Sequence, residues 1–126
     1  MSKKIISFMV FSIIIFFSAA AAVYSDDLSG IYYLNTNNNI GYLDITVSGN
    51  KVSGEMVWTI DRNGNPIDLR ADIKNGSIKY SGATTYIYFE RVGNPQKYHG
   101  YFSYDKTLIS GFFEKGYKIP WYAIKE

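Results

Sequence analysis

The chain contains no cysteine and only one histidine, His99. Without thiols it forms no disulfide bond, carries no cysteine-linked lipid and lacks the soft ligands of most structural zinc sites. A catalytic triad built on histidine would have to use His99. Alternation along its predicted strand places His99 with Lys97, Tyr101 and Ser103 on the face expected to meet solvent. We therefore assign no catalytic residue, no metal ligand and no cofactor.

A long hydrophobic run occurs only near the N-terminus. Two early lysines precede an almost unbroken apolar stretch, Ile5–Phe17, and small residues follow it. This order is typical of a secretory signal peptide, and the run is short for a membrane-spanning helix, which needs about 20 apolar residues. We predict a signal peptide over residues 1–25, cleaved after Ala22 or Ser25, and a single β-barrel domain over 26–126. The expected location is secreted or periplasmic.

Excess charge of either sign is also missing. The full chain has 13 basic and 11 acidic residues. Lys3 and Lys4 belong to the predicted leader, so the mature chain is formally neutral. Neutrality removes the electrostatic basis for binding nucleic acid or an anionic membrane. Charged outward positions such as Asp44 and Lys51 also argue against a membrane-spanning barrel. We expect no nucleic acid and, after cleavage, no membrane among the partners.

What the chain does contain is a series of short alternating runs. Leu43, Ile45 and Val47 alternate with polar residues, and Gly49-Asn50 follows as a turn. Two such runs around a glycine-asparagine pair predict a β-hairpin. After the turn, the predicted inward face continues through Val52, Gly54, Met56, Trp58 and Ile60.

The same pattern extends to the C-terminus. A second hairpin is predicted at Asn75-Gly76, between strands Leu69–Lys74 and Ser77–Ser81. The other predicted strands are Gly30–Asn35, Thr84–Val92, Tyr98–Tyr104, Leu108–Glu114 and Lys118–Ile124. Tight turns between eight or nine consecutive strands favour a meander, and closure removes the edges of such a sheet. The predicted fold is all-β, an antiparallel up-and-down barrel of about eight strands.

Glycine recurs inside the predicted strands. It stands third in Val52–Met56, in Tyr98–Phe102 and in Ile109–Phe113. Glycine weakens a strand unless the backbone bends or another chain segment comes close. The repeat therefore predicts kinks or close approaches in a small barrel.

Short motifs at both ends resemble known barrels. Ser29–Tyr33 followed by Val52–Gly54 resembles the opening of the avidin and streptavidin barrels, and Ser110–Phe113 with Pro120–Ala123 resembles their last two strands. More broadly the chain is similar to the calycin group, which includes lipocalins, whose Gly-x-Trp opening is here Gly30–Tyr32. The resemblance implies the barrel. It does not extend to biotin binding, since Leu34 stands where asparagine is expected and the chain has only two tryptophans.

Large aromatic residues are the candidates for a ligand pocket. The residues predicted to share one surface are Tyr33, Trp58, Phe89, Phe113 and Trp121. Small barrels are either filled by side chains or hold one small ligand, and the sequence leaves both open. The calycin resemblance implies that Arg91, beside Phe89, stacks on a tryptophan at one barrel end. Asp61–Asn65 has the oxygen spacing of a calcium loop, but Pro66 replaces the required glycine, so ordinary turn chemistry is preferred.

Two functions follow from these observations. The first is an exported, calycin-like protein that binds a small apolar or aromatic ligand at one barrel mouth. The alternative is a secreted protein-interaction module, such as an enzyme inhibitor or surface adhesin, with a protein partner bound through exposed tyrosines such as Tyr42 and Tyr101.

Overall fold

The computed structural model describes residues 28–126, so the predicted signal peptide lies outside the described residues. Within 28–126, no helix is long and apolar enough to cross a membrane. Eight strands fill most of this stretch: β1 Gly30–Thr36, β2 Asn39–Ser48, β3 Lys51–Ile60, β4 Pro66–Ser81, β5 Thr84–Arg91, β6 Gln96–Phe102, β7 Leu108–Glu114 and β8 Lys118–Lys125. Each strand pairs antiparallel with the next, and β8 pairs with β1, which closes the barrel. The predicted fold class is confirmed.

The first predicted hairpin is confirmed residue by residue. Val47 pairs with Val52 and Ser48 with Lys51, on either side of Gly49-Asn50. Gly49 has a φ of 64°, a left-handed conformation that glycine adopts without steric cost. Leu43, Ile45 and Val47 point into the barrel and are buried.

The predicted place of Ile60 on the inward face is wrong. Ile40 and Gly41 are consecutive residues on β2. Their partners on β3, Ile60 and Trp58, are two residues apart. The extra residue, Thr59, forms a β-bulge, which reverses the alternation beyond it. Trp58 is therefore buried while Ile60 is 40% exposed.

The predicted hairpin at Asn75-Gly76 is also wrong, because β4 is one continuous strand of 16 residues. The register shifts by one residue between Asp72 and Gly76 against β3, and between Lys74 and Ser77 against β5. Asn75 has a φ of 54° and donates a hydrogen bond from Nδ2 to Glu90 Oε1, 3.2 Å away. The pair of turn-forming residues thus bends a long strand instead of ending it.

Glycines allow the closest approaches between strands, as the sequence predicts. A Cβ added to Gly54 would lie 1.9 Å from the backbone oxygen of Asp44, and one on Gly111 would lie 1.9 Å from that of His99. Such distances are incompatible with any side chain. At these positions the barrel can curve only because no Cβ is present.

The barrel has two different ends. We call the end that carries loops 37–38, 61–65, 92–95 and 115–117 the mouth. At the opposite end the chain entering β1 closes the interior: Leu28 is fully buried, and Tyr32 Oη donates a 2.6 Å hydrogen bond to its backbone oxygen. Between the two ends, the buried core residues are Leu34, Leu43, Ile45, Val47, Val52, Met56, Ala71, Ile73, Ile78, Ile87, Phe89, Tyr98, Phe102, Ile109, Phe113, Ile119, Trp121 and Ala123. The deep interior is therefore filled by side chains.

Candidate functional site

A cavity of about 200 Å³ opens at the mouth. It forms because the core residues end below the rim and four loops surround the space above them. All eight strands and the four mouth loops contribute to its lining: Thr36, Asn37, Asn39, Trp58, Arg62, Ile67, Leu69, Arg91, Asn94, Gln96, Tyr98, Phe113, Lys115, Tyr117 and Ile119. The mouth thus combines a solvent opening with a lining of both polar and apolar side chains.

Stacked aromatic rings form the floor of the cavity. Tyr98 stacks between Phe89 and Phe113, with ring centres 5.0 Å and 4.8 Å away. Trp121 meets Phe89 and Tyr98 edge-on at 5.8 Å and 5.6 Å. Its indole N–H reaches the backbone oxygens of His99 and Phe112 at 3.1 Å and 3.2 Å. Each ring of the floor therefore packs against at least one other ring.

Arg91 lies across one side of the floor. Its guanidinium carbon is 4.6 Å from the centre of the Trp58 ring, a cation–π contact. The Trp58 indole N–H in turn donates a 2.8 Å hydrogen bond to Thr36 Oγ1. Trp58 is therefore fixed at both its ring and its polar atom. The expectation that Arg91 stacks on a tryptophan at a barrel end is confirmed.

Polar atoms beside Arg91 are arranged around Gln96, which pairs with it in register. Gln96 is buried, and its Oε1 accepts a 2.8 Å hydrogen bond from Tyr98 Oη and a 3.5 Å one from Arg91 Nη1. Arg91 Nε is buried without a hydrogen-bond partner within the described chain. Burial raises the pKa of the Tyr98 phenol, and the nearby Arg91 charge opposes that rise only in part. Tyr98 is therefore a neutral hydrogen-bond donor at physiological pH.

The lining carries charge of one sign. It includes Arg62, Arg91 and Lys115 but no aspartate or glutamate. The adjacent Asp61 accepts hydrogen bonds at Oδ1 from the backbone N–H groups of Asn63 and Asn65, both at 2.9 Å, so it serves the loop. Hydrogen bonds of this kind are the ordinary turn chemistry that the sequence favours for Asp61–Asn65.

The five predicted pocket residues separate into three groups. Trp58 and Phe113 line the cavity, while Phe89 and Trp121 are buried beneath it as supports. The placement of Tyr33 is corrected: it is 39% exposed on the outer face, because strand alternation turns its neighbours Tyr32 and Leu34 inward instead.

The sequence reasoning missed the polar part of the lining. Alternation from Phe89 to Arg91, and from Tyr98 back to Gln96, places both polar residues on the inward face, and that signal was available in the sequence. The contributions of the loop residues Arg62 and Lys115 were not, because alternation does not extend into loops.

His99 lies on the outer face, as alternation predicts. Its ring stacks on Phe112 at 4.8 Å and meets Tyr88 at 5.1 Å. His99 Nε2 lies 3.5 Å from Glu114 Oε1 without forming a hydrogen bond. Register places these rings beside Tyr86, Tyr101 and Tyr122. We call the set Tyr86, Tyr88, His99, Tyr101, Phe112 and Tyr122 the outer aromatic surface.

A row of alternating charges borders the outer aromatic surface on the mouth side. In register across five strands stand Lys118, Glu114, Lys97, Glu90 and Lys74. Opposite charges facing each other on neighbouring strands favour this pairing over slipped ones.

Comparison with known proteins assigns no family to this chain. No protein-family model matches the chain, and no curated protein is significantly similar to it. The closed eight-stranded barrel is compatible with a calycin-like fold. Nothing in these comparisons supports avidin or streptavidin in particular. The fold alone does not assign a function, which depends on the chemistry of the mouth.

Proposed function

We propose that this protein is an exported, calycin-like barrel that binds a small organic ligand at its mouth. The observation that carries the proposal is the cavity of about 200 Å³ above a fixed aromatic floor, at the one end not closed by Leu28. Trp58 and Phe113 are proposed to contact the ligand. Phe89 and Trp121 are proposed to hold that surface in place.

The dimensions of the cavity limit the ligand. Sites for drug-sized molecules measure roughly 300–1,000 Å³. The mouth is smaller and open to solvent, so we propose a ligand of one ring or a short chain. The packing of the floor favours binding, because side chains already ordered by ring contacts lose little entropy when the ligand arrives.

The two tryptophans provide a direct test. The chain has two indole N–H groups, one at the mouth on Trp58 and one in the floor on Trp121. Benzyl alcohol, benzamide, benzoate and indole would be titrated separately while both signals are followed by NMR. We expect at least one compound to shift the Trp58 signal saturably and to move the Trp121 signal less. If no compound shifts the Trp58 signal, the proposed function is wrong.

A matched pair of exposed tyrosines controls for folding. Tyr117 lies in a mouth loop and lines the cavity, whereas Tyr104 lies in the loop at the opposite end. Replacing Tyr117 with serine should weaken binding of the active compound, and replacing Tyr104 should not. Equal effects would place the bound compound outside the mouth.

Export is a separate part of the proposal, supported by the composition of the leader. Expression of the full chain in a secreting bacterial host, followed by mass spectrometry, would test it. We expect a mature N-terminus at Val23 or Asp26. An intact N-terminus on cell-associated protein would contradict export.

The alternative function, a protein-interaction module, is supported by the outer aromatic surface. Tyr86 and Tyr101 are exposed by 44% and 51% and face each other in register. Tyrosine-rich, partly polar surfaces are typical of protein interfaces. A Tyr86→Ser/Tyr101→Ser variant should lose any protein partner that the wild type and Tyr104→Ser both retain. Retention by all three would contradict this alternative.

A further inference from the structure

We infer that the ligand of the mouth carries a negative charge, and that its class is a small organic carboxylate. The inference rests on the proposed function and adds the chemistry of the ligand to it. It starts from the uneven distribution of charge between the mouth and the outer face.

Cations on the outer face stand near acidic groups. Arg70 lies 3.5 Å from Glu55 and 3.6 Å from Asp68. Lys97 stands in register between Glu90 and Glu114. Such arrangements neutralise the surface locally and need no ligand.

Each cation at the mouth follows an acidic residue in the chain, but these carboxylates do not line the cavity and form no ion pair with the cations. Within residues 28–126, neither Arg62, Arg91 nor Lys115 has a carboxylate at ion-pair distance. All three line one cavity that contains no acidic side chain. Three cations around a cavity without an acidic side chain give it a positive potential, which attracts an anion.

Arg91 is the strongest of the three attachment points. Its guanidinium is held by the Trp58 ring and by Gln96, so its orientation is set before any ligand binds. It is half-buried, with Nε closed off from solvent and without a partner. A partly dehydrated guanidinium gains more from an anion than a fully hydrated one does, and its planar donors match a carboxylate.

The remaining lining specifies the rest of the molecule. Ile67, Phe113 and Ile119 supply apolar surface in the same cavity. A bare inorganic anion would leave that surface in contact with water. A carboxylate on a small ring or short chain satisfies both parts of the cavity.

Isothermal titration calorimetry with paired probes tests the inference on the purified protein. Benzoate carries the charge, benzamide has nearly the same shape without it, and inorganic phosphate has the charge without the apolar body. We expect benzoate to bind at least about tenfold more tightly than benzamide, since a charge-assisted hydrogen bond is roughly twice as strong as a neutral one. Phosphate should bind more weakly than benzoate. Added salt should weaken the binding of benzoate and leave the binding of benzamide unchanged.

Variants identify the cations responsible. Arg91→Gln should remove most of the preference for benzoate over benzamide. Because Arg91 also packs on Trp58, Arg62→Gln and Lys115→Gln provide tests at exposed loop positions, and each should reduce the preference. Arg70→Gln, which removes a cation from the outer face, should leave it unchanged.

The outcomes separate this inference from the proposed function. Equal affinities for benzoate and benzamide would overturn the charge inference and leave a neutral-ligand site standing. Phosphate binding as tightly as benzoate would overturn the organic carboxylate in favour of an inorganic anion. If Arg70→Gln reduces the preference for benzoate over benzamide as much as Arg62→Gln does, the preference depends on the net charge of the protein and not on the mouth. Binding of none of the three probes would contradict the inference.

Discussion

The guanidinium of Arg91 on β5 lies 4.6 Å from the centre of the Trp58 ring on β3, although β4 runs between these two strands. The contact therefore crosses the inside of the barrel at its mouth. It joins β3 to β5 across the interior, and both side chains line the proposed site.

Removal of Arg91 should lower stability through loss of this contact. For Arg91→Ala we expect the free energy of unfolding to fall by about 1–2 kcal/mol, between the values for exposed and for desolvated cation–π pairs. Urea unfolding followed by tryptophan fluorescence measures the change. Arg70→Ala is the matched control, and its exposed ion pairs should contribute no more than about 0.5 kcal/mol. A larger loss for Arg70→Ala would contradict the assigned role of Arg91.

Gly100 should tolerate no side chain while Trp121 is present. A Cβ on Gly100 would lie 2.9 Å from Trp121 Cζ2 and 3.1 Å from Ile109 Cγ2. Gly100→Ala should therefore destabilise the barrel by roughly 1–3 kcal/mol through overpacking. The smaller ring in Trp121→Phe should relieve part of that strain, so the double variant should be more stable than the sum of the single effects predicts. Strict additivity in urea unfolding would contradict the contact.

Alkaline pH should destabilise the protein through its buried tyrosine. In the unfolded chain tyrosine ionises near pH 10, whereas burial raises the pKa of Tyr98 in the folded state. Above about pH 10 the unfolded state therefore releases a proton that the folded state keeps, and the free energy of unfolding falls as pH rises.

A second tyrosine adds to this fall. Burial, and then the hydrogen bond that Tyr88 donates to Glu90, raise the pKa of Tyr88 to about 12.

Tyr98→Phe should make the decline in the free energy of unfolding above pH 10 shallower, while Tyr104→Phe, at an exposed loop position, should not. Identical pH profiles for the wild type and Tyr98→Phe would show that Tyr98 ionises normally.

The bulge in β4 should depend on asparagine or glycine at position 75. Asn75 has a φ of 54°, and a left-handed backbone costs most other residues roughly 1–2 kcal/mol. Asn75→Ala should lower the midpoint of thermal unfolding, whereas Asn75→Gly should stay close to the wild type. Asn63→Ala, in an exposed loop without a positive φ, serves as the control. Equal midpoints for the alanine and glycine variants at position 75 would contradict a conformational role.

Much of the fold was predictable because alternation and turn residues act locally. The strands after Gly82 and the hairpin at Gly49-Asn50 follow from these signals alone. The prediction at Asn75-Gly76 was wrong because these two residue types are suited both to a tight turn and to a bulge. Only the pairing of β4 with both β3 and β5 decides between them. The bulge at Thr59 likewise leaves no local signal, and it moved Ile60 to the outside.

The candidate site was predictable where its residues lie on strands, and not where they lie in loops. Phe113 and Trp58 could be placed near the mouth from alternation, and Arg91 from its position two residues beyond Phe89. The convergence of Arg62 and Lys115 depends on which loops share an end of the closed barrel. That information arises from topology and not from any short stretch of sequence.

A crystal structure of the purified protein soaked separately with benzyl alcohol, benzamide and benzoate would test the central claim most directly. We expect electron density for at least one compound in the mouth, between Arg91 and Phe113, with the outer aromatic surface unoccupied. Density only on the outer aromatic surface, or none at saturating concentration, would contradict the claim that the barrel mouth is the functional site.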